Sequence, residues 1–207
     1  MYTLYTIPGS CSTGIAVLMK KLELNFTSVN RDDVSNYAEI VATNQVPALR
    51  TDEGHVITEG AAIALYLIEK HNQDVLPKDV AERAEFYQWL NFIYATLHPA
   101  YAKIFAIASN ENVANDIKTL IMQELADKLS PLWQILDIRL STHKFILGDT
   151  PSHMDYMAAV FSAWNNYFPD TEIVLGNNVK RLVNDVKTLP EFVSGFEADK
   201  AEFTPAA

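Results

Sequence analysis

The chain has 207 residues, 49% of them hydrophobic and 20% charged, which is ordinary globular composition and excludes a disordered chain. Its net charge of −10 would be repelled by phosphate backbones and anionic membranes, so no nucleic-acid or membrane partner is expected. A single cysteine allows no internal disulfide, and the first residues carry no basic-then-apolar leader, so a reducing, cytoplasmic setting is expected.

Tyr2 to Ile7 alternates β-favouring residues and reads as a strand, followed by turn chemistry at Pro8-Gly9-Ser10. Ser12 is placed to cap a helix from Thr13 to Glu23, and Phe26 to Asn30 reads as a second strand, parallel to the first across that crossover. Residues 31–45 are polar, with one helical turn near Tyr37 to Val41 and a single basic residue, Arg31. Val46 to Arg50 and His55 to Ile57 flank the turn signal Asp52-Glu53-Gly54 and form a hairpin, after which Thr58 is expected to cap a helix carrying Ala62, Ile63, Tyr66 and Leu67. The polar stretch 72–79, containing Pro77, reads as a linker.

From Val80 the pattern is helical. Arg83, Tyr87, Leu90, Tyr94, Leu97, Tyr101 and Ile104 mark one face of a long helix to Ala108, and Phe86, Trp89, Phe92 and Ile93 mark a second. Two apolar faces on one helix suggest a subunit interface in addition to a core. A second long helix spans 113–136, and shorter ones fall near 153–166, 177–188 and 190–202. The fold class is thus α/β plus all-α: a small mixed-sheet domain (1–71), a linker (72–79) and an all-helical domain (80–207).

Phosphate-binding glycine loops, a nucleophile elbow and an H-E-x-x-H pair are missing from the sequence, and no metal site is expected from the spacing of the histidines. Cys11 sits after a strand and a Pro-Gly turn at the threshold of a helix, where free N–H groups would favour a thiolate; the alternative is a buried, inert cysteine. Val46-Pro47 opens a strand, and a cis bond there would turn the preceding N–H and C=O toward a ligand; general frequencies favour trans. Thr58-Glu59-Gly60 starts a helix, where Glu59 would either bind an ammonium group or merely complement the helix dipole. Ser152-x-x-Asp155 is a capping-box pattern.

The run Pro8-Gly9-Ser10-Cys11-Ser12, then Gln45-Val46-Pro47-Ala48-Leu49 and Thr58-Glu59-Gly60-Ala61-Ala62-Ile63 resembles the thioredoxin-like half of the bacterial beta-class glutathione transferases. Trp89-Leu90-Asn91-Phe92-Ile93 with Leu97-His98, and Ile146-Leu147-Gly148-Asp149 with Ser152-x-x-Asp155, are similar to the helical half of that family. The resemblance implies a homodimer that conjugates glutathione, as co-substrate, to a small hydrophobic electrophile in detoxification, or exchanges disulfides through Cys11. It implies that Cys11 faces the glutathione sulfur, flanked by Ser10 and Ser12. Val46 would pair with the cysteinyl backbone through a cis Pro47, and Glu59 and Gly60 would hold the γ-glutamyl end. Asn91, His98 and Tyr101 would line the electrophile side. A non-catalytic binding protein on the same fold is the alternative.

Overall fold

The computed structural model describes residues 1–206. Two compact units comprise Met1–Tyr87 with Val186–Phe203, and Gln88–Asp185 with the stretch from Thr204 on.

In the first unit a four-stranded sheet has the order β2-β1-β3-β4, from β1 (Tyr2–Thr6), β2 (Phe26–Asn30), β3 (Ala48–Arg50) and β4 (Val56–Thr58). β1 runs parallel to β2 and antiparallel to β3, and β3 runs antiparallel to β4, as the strand-helix-strand and hairpin patterns require. The register pairs Thr6 with Asn30, Tyr5 with Ala48 and Ala48 with Thr58. The end of β1, the end of β2, the start of β3 and the end of β4 therefore share one edge of the sheet.

Helix α1 (Cys11–Lys21) is buried continuously from Cys11 to Met19 and packs on β1. Its covers are α3 (Gly60–His71) and α9 (Pro190–Ala198), with the short α2 (Tyr37–Ile40) lying before β3. The packing of α9 on α1 is close: a Cβ on Gly195 would lie 2.6 Å from the Val17 Cα. Phe192 and Phe196 of that helix form an edge-and-tilted aromatic cluster with Phe203, which follows it, with centroids 4.7–5.3 Å apart.

Two helix starts differ from the sequence reading by one or two residues. The cap of α1 is Ser10, whose side chain accepts from the Ser12 N–H, and Cys11 is the first helical residue. Glu59 is the cap residue of α3, because Thr58 is still engaged in the β3–β4 ladder.

The helical pattern from Val80 divides into α4 (Val80–Asn91), a π-helical segment (Phe92–Leu97) and α5 (His98–Ala108). The break has a local cause. Pro99 has no N–H to give to the preceding turn, and the His98 N–H reaches back five residues to the Ile93 carbonyl. Phe86, Trp89, Leu90 and Ile93, counted for two faces, are all buried within the chain, leaving Val80 and Tyr87 exposed.

The second unit also contains α6 (Asn115–Thr142), α7 (His153–Ala163) and α8 (Asn177–Val186). The Ser152–Asp155 capping box is present, and Asp155 also accepts from the Ile146 N–H at 2.8 Å, so it fastens the preceding loop as well. Asp137 on α6 caps α8 through the N–H groups of Asn178 and Val179. No described helix is long and apolar enough to cross a membrane.

Candidate functional site

The first functional feature is a turn. Ile7-Pro8-Gly9-Ser10 closes with the Ser10 N–H donating to the Ile7 carbonyl at 3.0 Å, and Gly9 has φ of 77°. Proline at the second position and a positive-φ glycine at the third define a type II turn. The turn ends β1 and aims Cys11 into the first turn of α1. Ser12 points back, exchanging hydrogen bonds with the Ile7 N–H and carbonyl at 3.2 Å and with the Ser10 hydroxyl at 2.7 Å.

Cys11 is 7% exposed, and its Sγ donates to the Val46 carbonyl at 3.6 Å. The Val46-Pro47 bond is cis. The shared sheet edge explains the meeting, since Tyr5 opposite Ala48 brings the residues after β1 beside those before β3. Glu59, directly after Thr58, stands at the same edge because Thr58 pairs with Ala48. Glu59 is exposed with φ of 67°, an unfavourable backbone region for a non-glycine residue, and Gly60 behind it is buried as the first residue of α3.

The expected thiolate is corrected by the structure. Burial pushes the Cys11 thiol up to about 12, against the pull of its own N–H, the Ser12 N–H and the Ser10 hydroxyl. The magnitudes decide this: a helix N-terminus is worth up to about 2 kcal/mol, whereas full desolvation shifts a group by as much as about 3–5 pKa units. The charge of Asp199 raises the thiol further. No acidic residue lies within ten positions of Cys11 in the sequence, yet α9 brings this one from the far end of the chain.

Asp199 is itself a buried hub. It accepts from the Thr13 hydroxyl and from the Ser28 hydroxyl, the latter at 3.1 Å, while Thr13 Oγ1 accepts from the Gly9 N–H at 3.0 Å. A carboxylate on α9 thus anchors the turn that presents Cys11. Burial raises the carboxyl above its ordinary value, opposed by these hydrogen bonds.

Two more residues went unassigned in the sequence. Arg31, directly after β2, extends its guanidinium to the Asn44 carbonyl at 3.0 Å, so the one basic residue of the 31–45 segment folds back beside the approach to Val46. Tyr37 is buried and donates to the Gln45 carbonyl at 2.8 Å. Three consecutive carbonyls, of Asn44, Gln45 and Val46, each accept from a different side chain: Arg31, Tyr37 and Cys11.

Asn91, His98 and Tyr101 belong to the second unit. Asn91 is exposed at the end of α4, and the His98 ring is half-buried against Phe161 and Trp164, with centroids 5.5 and 5.6 Å away. Tyr101 is fully buried; its hydroxyl accepts from Trp133 Nε1 at 2.9 Å and donates to Asn165 Oδ1 at 2.6 Å. That makes Tyr101 a core residue, and the reading of it as a substrate-lining side chain is corrected accordingly. Among the described residues, no group of three His, Cys, Asp or Glu side chains is arranged to hold a metal ion.

Residues 4–75 match the family model described as the glutathione S-transferase N-terminal domain. The chain is 28% identical to glutathione S-transferase GstA of Escherichia coli over 61% of its own length and 65% of the relative's. It is also 28% identical to glutathione S-transferase GST-4.5 of Xanthomonas campestris, over 78% of this chain and 81% of that one. Among solved structures, the glutathione S-transferase from Xylella fastidiosa superposes with a TM-score of 0.85 at 20% identity, covering 98% of this chain and 100% of that one. Residues 4–75 thus carry the sequence pattern of a glutathione S-transferase N-terminal domain, and the whole chain shares its fold with solved glutathione transferases.

Proposed function

We propose that this chain is a glutathione transferase that joins glutathione to a small hydrophobic electrophile. Residues 1–71 hold the glutathione, 72–79 are the linker, and the helical residues 80–207 supply the electrophile contacts, with Asn91 and His98 assigned to them. The observation that carries the reading is the Cys11 thiol lying against the Val46 carbonyl before a cis Pro47, at the sheet edge where Glu59 also stands. Val46 pairs with the cysteinyl backbone of glutathione, and Glu59 and Gly60 take the γ-glutamyl end. Ser10 and Ser12 shape the turn beneath the sulfur. Arg31 stands next to the Asn44 carbonyl and is paired with Asp32 at 2.9 Å, so it takes the glycine carboxylate only by sharing its guanidinium with that acid.

The state of the thiol favours conjugation over disulfide exchange. Burial keeps this thiol protonated at neutral pH, and exchange needs the thiolate. A protonated Cys11 is instead a donor: its single S–H, given to the Val46 carbonyl in this structure, would turn to the thiolate of glutathione, the nucleophile of the conjugation. Homodimerisation, a detoxifying role and a cytoplasmic setting belong to the same proposal and rest on the family resemblance and the lone cysteine.

Calorimetry with glutathione, and conjugation of a chlorodinitrobenzene by the wild type and by Cys11→Ser, test the reading. Binding at millimolar glutathione or below is expected, with Cys11→Ser keeping most of the conjugating activity because serine still donates a hydrogen bond. Absence of glutathione binding would transfer the chain to the non-catalytic alternative. Loss of conjugation in the serine variant with intact glutathione affinity would assign Cys11 a nucleophile's role.

A further inference from the structure

The approach to the cis proline is held in part by Tyr37, a side chain that has no place in the reading above. Residues 42–45 are exposed and lie outside any helix or strand. Three bonds tie them down: the Asn44 N–H donates to the Val41 carbonyl at 2.8 Å, Arg31 holds the Asn44 carbonyl, and Tyr37 holds the Gln45 carbonyl.

Tyr37 differs from Arg31 in how firmly it is itself held. It is buried, its ring meets Tyr5 edge-on at a centroid distance of 5.4 Å, and both belong to a cluster with Val41 and Ala48. The Val46 side chain packs on that same cluster. Burial pushes the Tyr37 phenol up to about 12, so it stays a donor throughout the physiological range. Its hydroxyl is therefore a rigid peg set in the core and aimed at one carbonyl.

The carbonyl of Gln45 and the N–H of Val46 lie in one peptide plane and point in opposite directions. Whatever fixes the Gln45 oxygen fixes the direction of the Val46 N–H. We propose that Tyr37 is a positioning residue of the glutathione site: by holding the Gln45 carbonyl it aims the Val46 N–H at the cysteinyl carbonyl of glutathione. The proposal rests on the reading in which Val46 pairs with the cysteinyl backbone. Tyr37 touches no substrate in it; its effect passes through one peptide plane.

The test is Tyr37→Phe, which keeps the ring and removes the hydroxyl. Gln45 is exposed, so water replaces the lost donor and the melting temperature should stay within about 2 °C of the wild type. The KM for glutathione should rise about fivefold, equivalent to about 1 kcal/mol, with kcat changed by less than about twofold. Two probes separate this proposal from the reading beneath it: γ-glutamylcysteine amide, and γ-glutamylcysteamine, which lacks only the cysteinyl carboxamide. The wild type should bind the amide more tightly, and Tyr37→Phe should weaken the amide about fivefold while leaving the cysteamine within about twofold. A wild type that binds both probes equally overturns the Val46 pairing and the proposal with it. A wild type that discriminates, joined to a variant that binds both probes as the wild type does, overturns the role of Tyr37 alone. Equal weakening of both probes reduces Tyr37 to a packing residue and also overturns the proposal.

Discussion

Replacing Gly195 with alanine tests the seating of α9 on α1. In a helix interior this change is ordinarily favourable by up to about 1 kcal/mol, because alanine loses less backbone entropy. Here the added Cβ would meet Val17 Cα and Cγ2 at 2.6 Å and Val17 N at 2.8 Å. Unstrained carbon contacts lie at about 3.5–4.0 Å, so a gap of about 1 Å has to open. Two of the three opposing atoms are backbone inside α1, buried on every side, and cannot rotate away. The cost belongs at the upper end of the overpacking range, about 3 kcal/mol, leaving a net loss of about 2 kcal/mol after the helical gain. For a chain of this size that is a fall of roughly 4–8 °C in melting temperature. Urea unfolding with an unchanged slope should show the same loss as a lower midpoint. Ser194→Ala, one position earlier and half-buried, serves as the control and should stay within about 0.5 kcal/mol. A Gly195→Ala protein as stable as the wild type, or more so, would refute the close approach of the two helices.

Asp199→Asn removes the negative charge that raises the Cys11 thiol while keeping an acceptor for Thr13, so alkylation of this single thiol at pH 8 should speed up; an unchanged or slower rate would deny the coupling. Glu59→Gly relieves a positive φ and should raise stability by about 1 kcal/mol while weakening glutathione binding, and a less stable variant would show that the backbone is not strained there. His153, buried with Nε2 on the Tyr94 hydroxyl at 2.7 Å, is held down to about 3, so the unfolded chain takes up its proton first. Its stabilising contribution is lost as pH falls below about 6.5, by about 2 kcal/mol between pH 7 and pH 5. Burial raises Asp155 to about 6, and its contribution runs in the opposite direction over that window, so the measurement is the difference between wild type and His153→Phe. That difference should shrink on acidification; a constant difference from pH 7 to pH 5 would refute the buried neutral imidazole.

Features encoded within a few residues were readable from the sequence. The Pro8-Gly9 turn, the β3–β4 hairpin and the Ser152–Asp155 box each have their determinants inside one short window, and each is present. The cis Val46-Pro47 bond was accessible only through the family resemblance, since no local signal separates it from a trans bond. Cys11 was correctly placed at the head of α1, but its ionisation was misread: the helix N-terminus is a local fact, whereas the burial that outweighs it is a tertiary one. Asp199 left no trace, because its partner Thr13 is 186 residues away. Tyr101 fits the helical pattern of a lining residue as well as that of a core residue, and only Trp133 and Asn165 decide between them.

The bond from Asp199 to Thr13 also bears on biosynthesis. The ribosome delivers the β1–α1 turn early and the carboxylate that anchors it 186 residues later, a delay of roughly 10–40 s at about 5–20 residues per second. Through that interval the nascent sheet and α1 are without the cover of α9, and the Val17 face that Gly195 later meets stays open to solvent or to a chaperone. The segment that carries Cys11 therefore completes its hydrogen bonding only after α9 has been made. Ribosomes stalled before α9 emerges should display a Cys11 thiol that reacts with alkylating reagents far faster than in the finished protein.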